Sequence, residues 1–370
     1  MKFIAIRSNL KDGIASVQGA SGENLNLPIL KNILLETEEN KVKITATNLE
    51  IAITAFVAGK VIQEGKFTVP AGVFANLINN IQSERLNLEE KKGKLEVKTD
   101  NYEATIQGLS AADFPITPKV KNQAEYIEIK AEVLKDSLSQ VLIAAQFSDL
   151  RPELNTVFFH YSVNNIKIVA TDSFRLAEQT IAAAQFQTTF KKEFEILIPL
   201  KTAQELFRIL HNEDVVRIYH DENQVLFKTA RFELLSRLVE GKFPDYTAII
   251  PKKFNVEIVF SRQEFMNALK LAGIFGSKNS EVKLKSEEGK KSIEIVSSDQ
   301  TLGENNYLLA AKVQGKLDAI TFNWRYLMDA LKVLKNDEVF FGINSDNEPA
   351  EIKPVGDASY VYILKPIAGE

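Results

Sequence analysis

The chain has 370 residues, 45% apolar and 25% charged, the balance of a globular protein long enough for two or three domains. It has no cysteine, which excludes disulfides, thiolate metal sites and cysteine nucleophiles. Its net charge of −4 excludes a global basic footprint for nucleic acid, so any such footprint has to be local. No apolar run approaches the roughly 18 residues of a membrane helix, and the opening MKFIAIRSNLKDG reads as a strand and helix rather than a signal peptide.

In chain order, MKFIAIRSNLKDGIASVQGA is a strand followed by a helix, and strands surround ITATNLEIAI (44–53). FTVPAGVFANLINNI (67–81) is a strand feeding a helix, with Phe74, Leu77, Ile78 and Ile81 at helical spacing. Alternating strands in KLEVKTDNYEATIQGL follow. Asp113-Phe114-Pro115 then opens FPITPKVKNQ, which reads as a linker. The succession starts again with EYIEIKAEVLKDSLSQVLIAAQ (125–146), IVATDSFRLA (168–177) and ILIPLKTAQELFRIL (196–210). Here Ala203, Leu206, Phe207 and Leu210 mark the helix face; QVLFKTARFELLSRLV and Lys242-Phe243-Pro244 end the unit. A third succession runs through NVEIVFSRQEFMNALKLAGIF (255–275), IVSSDQTLGE (295–304), ITFNWRYLMDALKVL (320–334) and YVYILKPI. Its second helix carries Trp324, Leu327, Met328 and Leu331 on one face. Pro70 and Pro199 stand where helices begin, Asn323 offers an N-cap, and Ser261 with Glu264 has capping-box spacing.

The offsets between the three related segments are 124 (44 to 168) and 127 (168 to 295). Five features recurring in order at nearly constant spacing make this an α+β chain of three tandem copies of one module. Each module has two helices against antiparallel sheets, and the boundaries are 1–120, 125–250 and 254–370. ATDSFRLAE (170–178) invites a catalytic reading of Asp172. The equivalent positions are Asn48 and Asp299, so a turn-forming role recurring three times is the simpler account. There is no phosphate-binding glycine loop or zinc-protease motif, and His160, His211 and His220 have no ligand spacing. No catalytic residue, metal or cofactor is expected.

The order and spacing of MKF, NLPILKNILLE, ATNLEIAI, FTVPAGVF, AADFP, ATDSFRLAE, GKFPDY and ILKPI resembles the bacterial sliding clamps, the β subunits of DNA polymerase III, over essentially the whole chain. The resemblance implies clamp-type modules that form a ring as a homodimer, with helices lining a hole around double-stranded DNA and no sequence-specific readout. It implies a processivity factor that catalyses nothing, needs no cofactor, touches no membrane and works in the cytoplasm. Its implied partners are the DNA polymerase III catalytic subunit, the clamp loader and other clamp-motif proteins.

Carried over by position, the resemblance implies a partner-peptide groove of Leu154, Thr171, Ser173, Phe174, Arg175, Leu176, Pro244, Ile249, Ile363, Leu364, Pro366 and Ile367, with Arg175 helping to orient the peptide. It implies DNA-facing positions Asn24, Lys201, Arg208, Arg325 and Lys332, and a dimer contact of Ala104 and Ile106 against Ile274 and Phe275. Six helix windows (8–20, 70–82, 130–146, 199–211, 261–275 and 323–335) together carry +4, leaving −8 for the remainder of a chain whose total is −4. That bias suits a ring sliding on phosphates. The pattern departs from the family at Asn24, where an Arg is expected, at the abrupt connection 147–151, and at Lys365, where an apolar residue is common. An enzyme, or a different binding module built on triplicated domains, is the competing reading. A dimer of about twice the 41.5 kDa chain mass separates the clamp from both.

Overall fold

A computed structural model describes residues 1–22, 26–39, 41–148, 151–276, 279–287, 289 and 291–367. The chain packs as two units. Met1–Leu134, Ala184–Lys191 and Lys201–Val239 form the first; Lys135–Ala183, Lys192–Leu200 and Glu240–Glu370 form the second. The helices among the described residues are α1 (Arg7–Gln18), α2 (Ala71–Asn80), α3 (Ala131–Leu142), α4 (Leu200–Ile209), α5 (Arg262–Ile274) and α6 (Trp324–Val333).

Of the faces marked by apolar spacing, Phe74, Ile78, Ala203, Leu206, Leu327, Met328 and Leu331 are buried, and Leu77, Phe207 and Trp324 are half-buried. In α1 the buried face is Leu10, Gly13, Ile14 and Val17; in α5 it is Phe265, Ala268, Leu269 and Ala272. Two expected caps form: Ser261 accepts a hydrogen bond from the Glu264 N–H, and Asn323 accepts one from the Arg325 N–H. Pro70 and Pro199 each end a strand one residue before a helix.

All strand pairs are antiparallel. The sheet of the first unit runs in the order 186–188, 127–130, 215–220, 224–228, 232–237, 51–63, 2–6, 85–91, 94–98 and 103–107, and strands 32–38, 41–47 and 65–70 branch from it. The sheet of the second unit runs 194–199, 156–161, 165–171, 175–182, 360–364, 350–354, 338–343, 256–261, 303–314, 292–299, 281–286 and 317–323. In each sheet the last strand of one repeat completes the edge of the repeat before it. Strand 232–237 pairs Leu235 with Ala52, and strand 360–364 pairs Ile363 with Leu176.

The two Phe-Pro segments are anchored rather than free. Phe114 is buried against Ile29 and Leu30, and Val120 packs with Tyr219, Leu226 and Leu235. In the second unit the Phe243 ring stacks on Phe158, with centroids 5.0 Å apart and planes 10° from parallel. The sequence suggests linkers here; their apolar residues instead hold each segment onto its sheet.

One close approach fixes the end of strand 103–107. Thr68 accepts a hydrogen bond from Asn32 at 3.0 Å and donates one to the Leu109 carbonyl at 2.8 Å. A Cβ on Gly108 would lie 2.0 Å from the Thr68 carbonyl oxygen, a clash with backbone that cannot rotate away. Gly108→Ala is expected to lower stability by about 1–3 kcal/mol, seen as a lower melting temperature in thermal denaturation of the full chain. An unchanged melting temperature would show that Leu109 can shift without cost.

Candidate peptide groove

The site begins with a turn. Thr171 ends strand 165–171, and the Asp172 carboxylate accepts the N–H groups of Phe174 and Arg175, both at 2.9 Å. Thr171 Oγ1 closes the other side, donating to the Arg175 carbonyl at 2.7 Å and accepting the Ser173 N–H at 3.2 Å. Ser173 sits in the left-handed region at φ 77°, and the turn projects Phe174 into solvent, 61% exposed. Asn48 makes the same pair of bonds to Glu50 and Ile51, and Asp299 makes it to Thr301 and Leu302. The recurring acid or amide is a turn-former in all three repeats.

Asp172 also has a second job. Its other oxygen takes Arg175 Nε at 2.9 Å, while Arg175 Nη1 reaches Asp329 at 2.8 Å and the guanidinium lies 4.2 Å above the Tyr326 ring centroid. Burial works against the Arg175 charge, but the Tyr362 oxygen, Asp329 and Asp172 outweigh it and push the pKa up. Arg175 thus holds the turn to α6 through Nε and Nη1 while its side chain lines the groove.

The opposite wall is FPDY. Tyr246 is buried, edge-on to both Phe158 and Phe243. Its hydroxyl donates to Glu178, and Lys167 Nζ reaches both Glu178 oxygens at 3.0 and 3.2 Å. The floor comes from the last strand, where the Lys365 N–H continues the ladder to the Phe174 carbonyl at 2.8 Å.

These pieces enclose a cavity of about 210 Å³. Leu154, Thr171, Ser173, Phe174, Arg175, Leu176, Pro244, Ile249 and Ile363 all line it, joined by Arg151, Asp245, Tyr246, Pro349 and Lys365. Leu364, Pro366 and Ile367 do not line it. Strand side chains alternate, so Ile363 facing the groove sends Leu364 to the other face, where it is wholly buried. Ile367 instead pairs its backbone with Thr321. Tyr246 was within reach of the sequence motif GKFPDY; Pro349 carries no sequence signal.

Comparison with known proteins accounts for the whole chain. Models of the DNA polymerase III beta subunit match residues 1–118 (N-terminal domain), 128–245 (central domain) and 247–368 (C-terminal domain). The chain belongs to the DNA polymerase III beta subunit family. It is 29% identical to the beta sliding clamp of Staphylococcus aureus and 27% identical to that of Bacillus subtilis, covering 99% of each chain in both cases. The crystal structure of the Bacillus subtilis DNA polymerase sliding clamp superposes with a TM-score of 0.94 over 100% of both chains, at 27% identity. As a sliding clamp it is a processivity factor of DNA replication and not an enzyme. Among the described residues, no helix is long and apolar enough to cross a membrane.

The remaining positions singled out in this clamp sequence have varied surroundings. Lys201 and Arg325 are exposed, with Arg325 5.3 Å from the Trp324 ring; Lys332 pairs with Asp329 at 3.6 Å. Arg208 is held by Glu205 and by the carbonyls of Ala15 and Ser16 at 2.8 and 3.1 Å. Asn24, Asp149 and Leu150 lie outside the described residues. Ala104 and Ile106 sit on the edge strand 103–107; Ile274 ends α5 with 61% exposure, and Phe275 beside it is half-buried.

Four phenols in the second unit are held above their ordinary pKa. Burial raises Tyr246, Tyr326, Tyr360 and Tyr362, and Glu178 adds to the shift of Tyr246. An unfolded tyrosine titrates near pH ~10. Below that, folded and unfolded states bind the same phenol protons and this contribution is fully present; above it the unfolded state loses protons first, so stability falls as pH rises. In alkaline titration, a fraction of the tyrosinate absorbance should lag behind and appear together with unfolding of the second unit. Tyrosinate appearing in one unperturbed step before any loss of structure would contradict this.

Proposed function

We propose that the groove seats short apolar peptides of DNA polymerase III, the clamp loader and other clamp-motif proteins, and that two copies of the chain close head to tail into a ring around duplex DNA. The reading divides the chain into modules 1–120, 125–250 and 254–370. Phe174, Leu176, Ile249 and Ile363 supply apolar contacts for peptide anchors, and Arg151, Lys365 and backbone groups orient the chain between them. The clamp acts in the cytoplasm, where the DNA it serves is replicated.

The pattern of completed and uncompleted sheet edges carries the ring. Strands 51–55 and 175–179 are each completed by the last strand of the following repeat. The corresponding stretch 303–307 pairs only with 292–299 side by side, and strand 103–107 pairs only with 94–98, among the described residues. An open acceptor and an open donor strand in one chain are matched when a second copy supplies both. The partner's 103–107 then runs antiparallel to 303–307, bringing Ala104 and Ile106 beside Ile274 and Phe275. Lys201, Arg208, Arg325 and Lys332 face the duplex, where contacts to phosphate alone permit sliding.

The test is retention. Protein is loaded onto nicked circular DNA with a clamp loader and isolated in high salt, and the circles are then linearised. Retention on circles with loss from linear ends is the expected result. Loss from intact circles, despite a competent loader and an intact dimer, would rule out topological linkage. Separately, Phe174→Ala is expected to weaken binding of a polymerase-derived clamp-motif peptide by roughly tenfold or more and to lower the yield of loading, while the rings that are loaded stay on circular DNA as the native protein does.

A further inference from the structure

The first unit repeats the backbone framework of the groove, offset by one repeat. Strand for strand, its register is that of the groove described above. Leu235 pairs with Ala52 as Ile363 pairs with Leu176. The Arg237 N–H donates to the Glu50 carbonyl at 2.9 Å, as the Lys365 N–H does to Phe174. Thr47 donates to the Ile51 carbonyl and accepts the Leu49 N–H, as Thr171 does around Ser173. Pro115 stands where Pro244 stands, each following a Phe held on its sheet. The cavity left beside these pieces has a volume of about 230 Å³, close to the 210 Å³ of the first.

Two of its lining residues make little sense as solvent-facing surface. Ile116 is 94% exposed although its neighbours Phe114 and Val120 are buried. Leu49 occupies the left-handed turn position at φ 79°, where an unbranched small or amide residue is easier to accommodate, and its side chain is 43% exposed. A bulky apolar residue held there at backbone cost gains nothing from water; it gains from an apolar ligand.

Charge states which ligand. The first groove has Arg151 and Lys365 at its lip, neither paired with a carboxylate among the described residues. In the second, Ile116 occupies the repeat position of Asp245, Ile51 that of Arg175 and Glu50 that of Phe174, while Leu27, at the position of Arg151, does not line the cavity. Its remaining charges, Glu50 and Arg237, face each other at 3.7 Å and cancel. We propose that this cavity is a second peptide-docking site, for an uncharged extended segment of a partner protein carrying two apolar anchors. The proposal rests on reading the first groove as a peptide site, because the second is argued as its replica.

The two readings separate in one calorimetric titration of the full-length dimer with acetyl-Ser-Leu-Ser-Phe-Ser-amide, a neutral probe with alternating anchors. Two peptides per chain are expected for the native protein. Phe174→Asp should leave one, Ile116→Glu should leave one, and the double variant none. Leu49→Asn, which suits the left-handed turn, should weaken the second event at least fivefold. A single event abolished by Phe174→Asp and untouched by Ile116→Glu and Leu49→Asn would overturn the second site and leave the first. A single event abolished by Ile116→Glu alone would leave the second site and overturn the first, and no binding at all would overturn both.

Discussion

A strand inside a sheet requires a hydrogen-bonded neighbour on each side, and the rest of this molecule follows from how three repeats meet that requirement. Each repeat has a strand whose first half is paired within its own repeat on one side only. The final strand of the next repeat fills the gap, at 51–55 and again at 175–179. The filling brings three separate pieces to one spot: a turn, a Phe-Pro segment and a strand end. Side chains from all three then border a cavity that no single repeat could make.

The groove at 171–176 is lined with apolar groups but supported by charges. Arg175, Asp172 and Asp329 form one cluster, and Lys167, Glu178 and Tyr246 form another. Burying ions costs desolvation that their mutual attraction barely recovers, so neither cluster is a strong argument for stability. What they supply is position. Asp172 spends one oxygen on the turn and one on Arg175, so the backbone angle that projects Phe174 is fixed from two directions. At the opposite wall the hydroxyl of Tyr246 has a single acceptor, which sets the ring against Phe158 and Phe243 and keeps Pro244 and Ile249 facing the cavity. Lys365 stands exposed at the lip.

Much of this was legible in the chain as written. The repeat, the helix faces, the caps at Ser261 and Asn323 and the turn role of Asp172 rest on local chemistry and short spacing, and local chemistry survives folding. Other parts were not legible. Nothing near Arg175 in sequence indicates Asp329, 154 residues away, which binds its guanidinium from α6. Leu364 resembles Ile363 in type, and only the strand's pairing decides which of the two faces the groove. FPITPKVKNQ has the composition of a linker, yet Phe114 and Val120 find apolar partners far along the chain.

By itself, then, the sequence determined the repeated module, the kind of element at each place, and the family, because periodicity, capping and motif order are properties of neighbours along the chain. Tertiary structure decided which charges are already spent, which face each strand residue takes, and that the groove has a counterpart beside Leu49 and Ile116. Those depend on pairing between segments from different repeats, and a pairing register is set by whole-sheet packing rather than by any stretch of sequence that one can read alone.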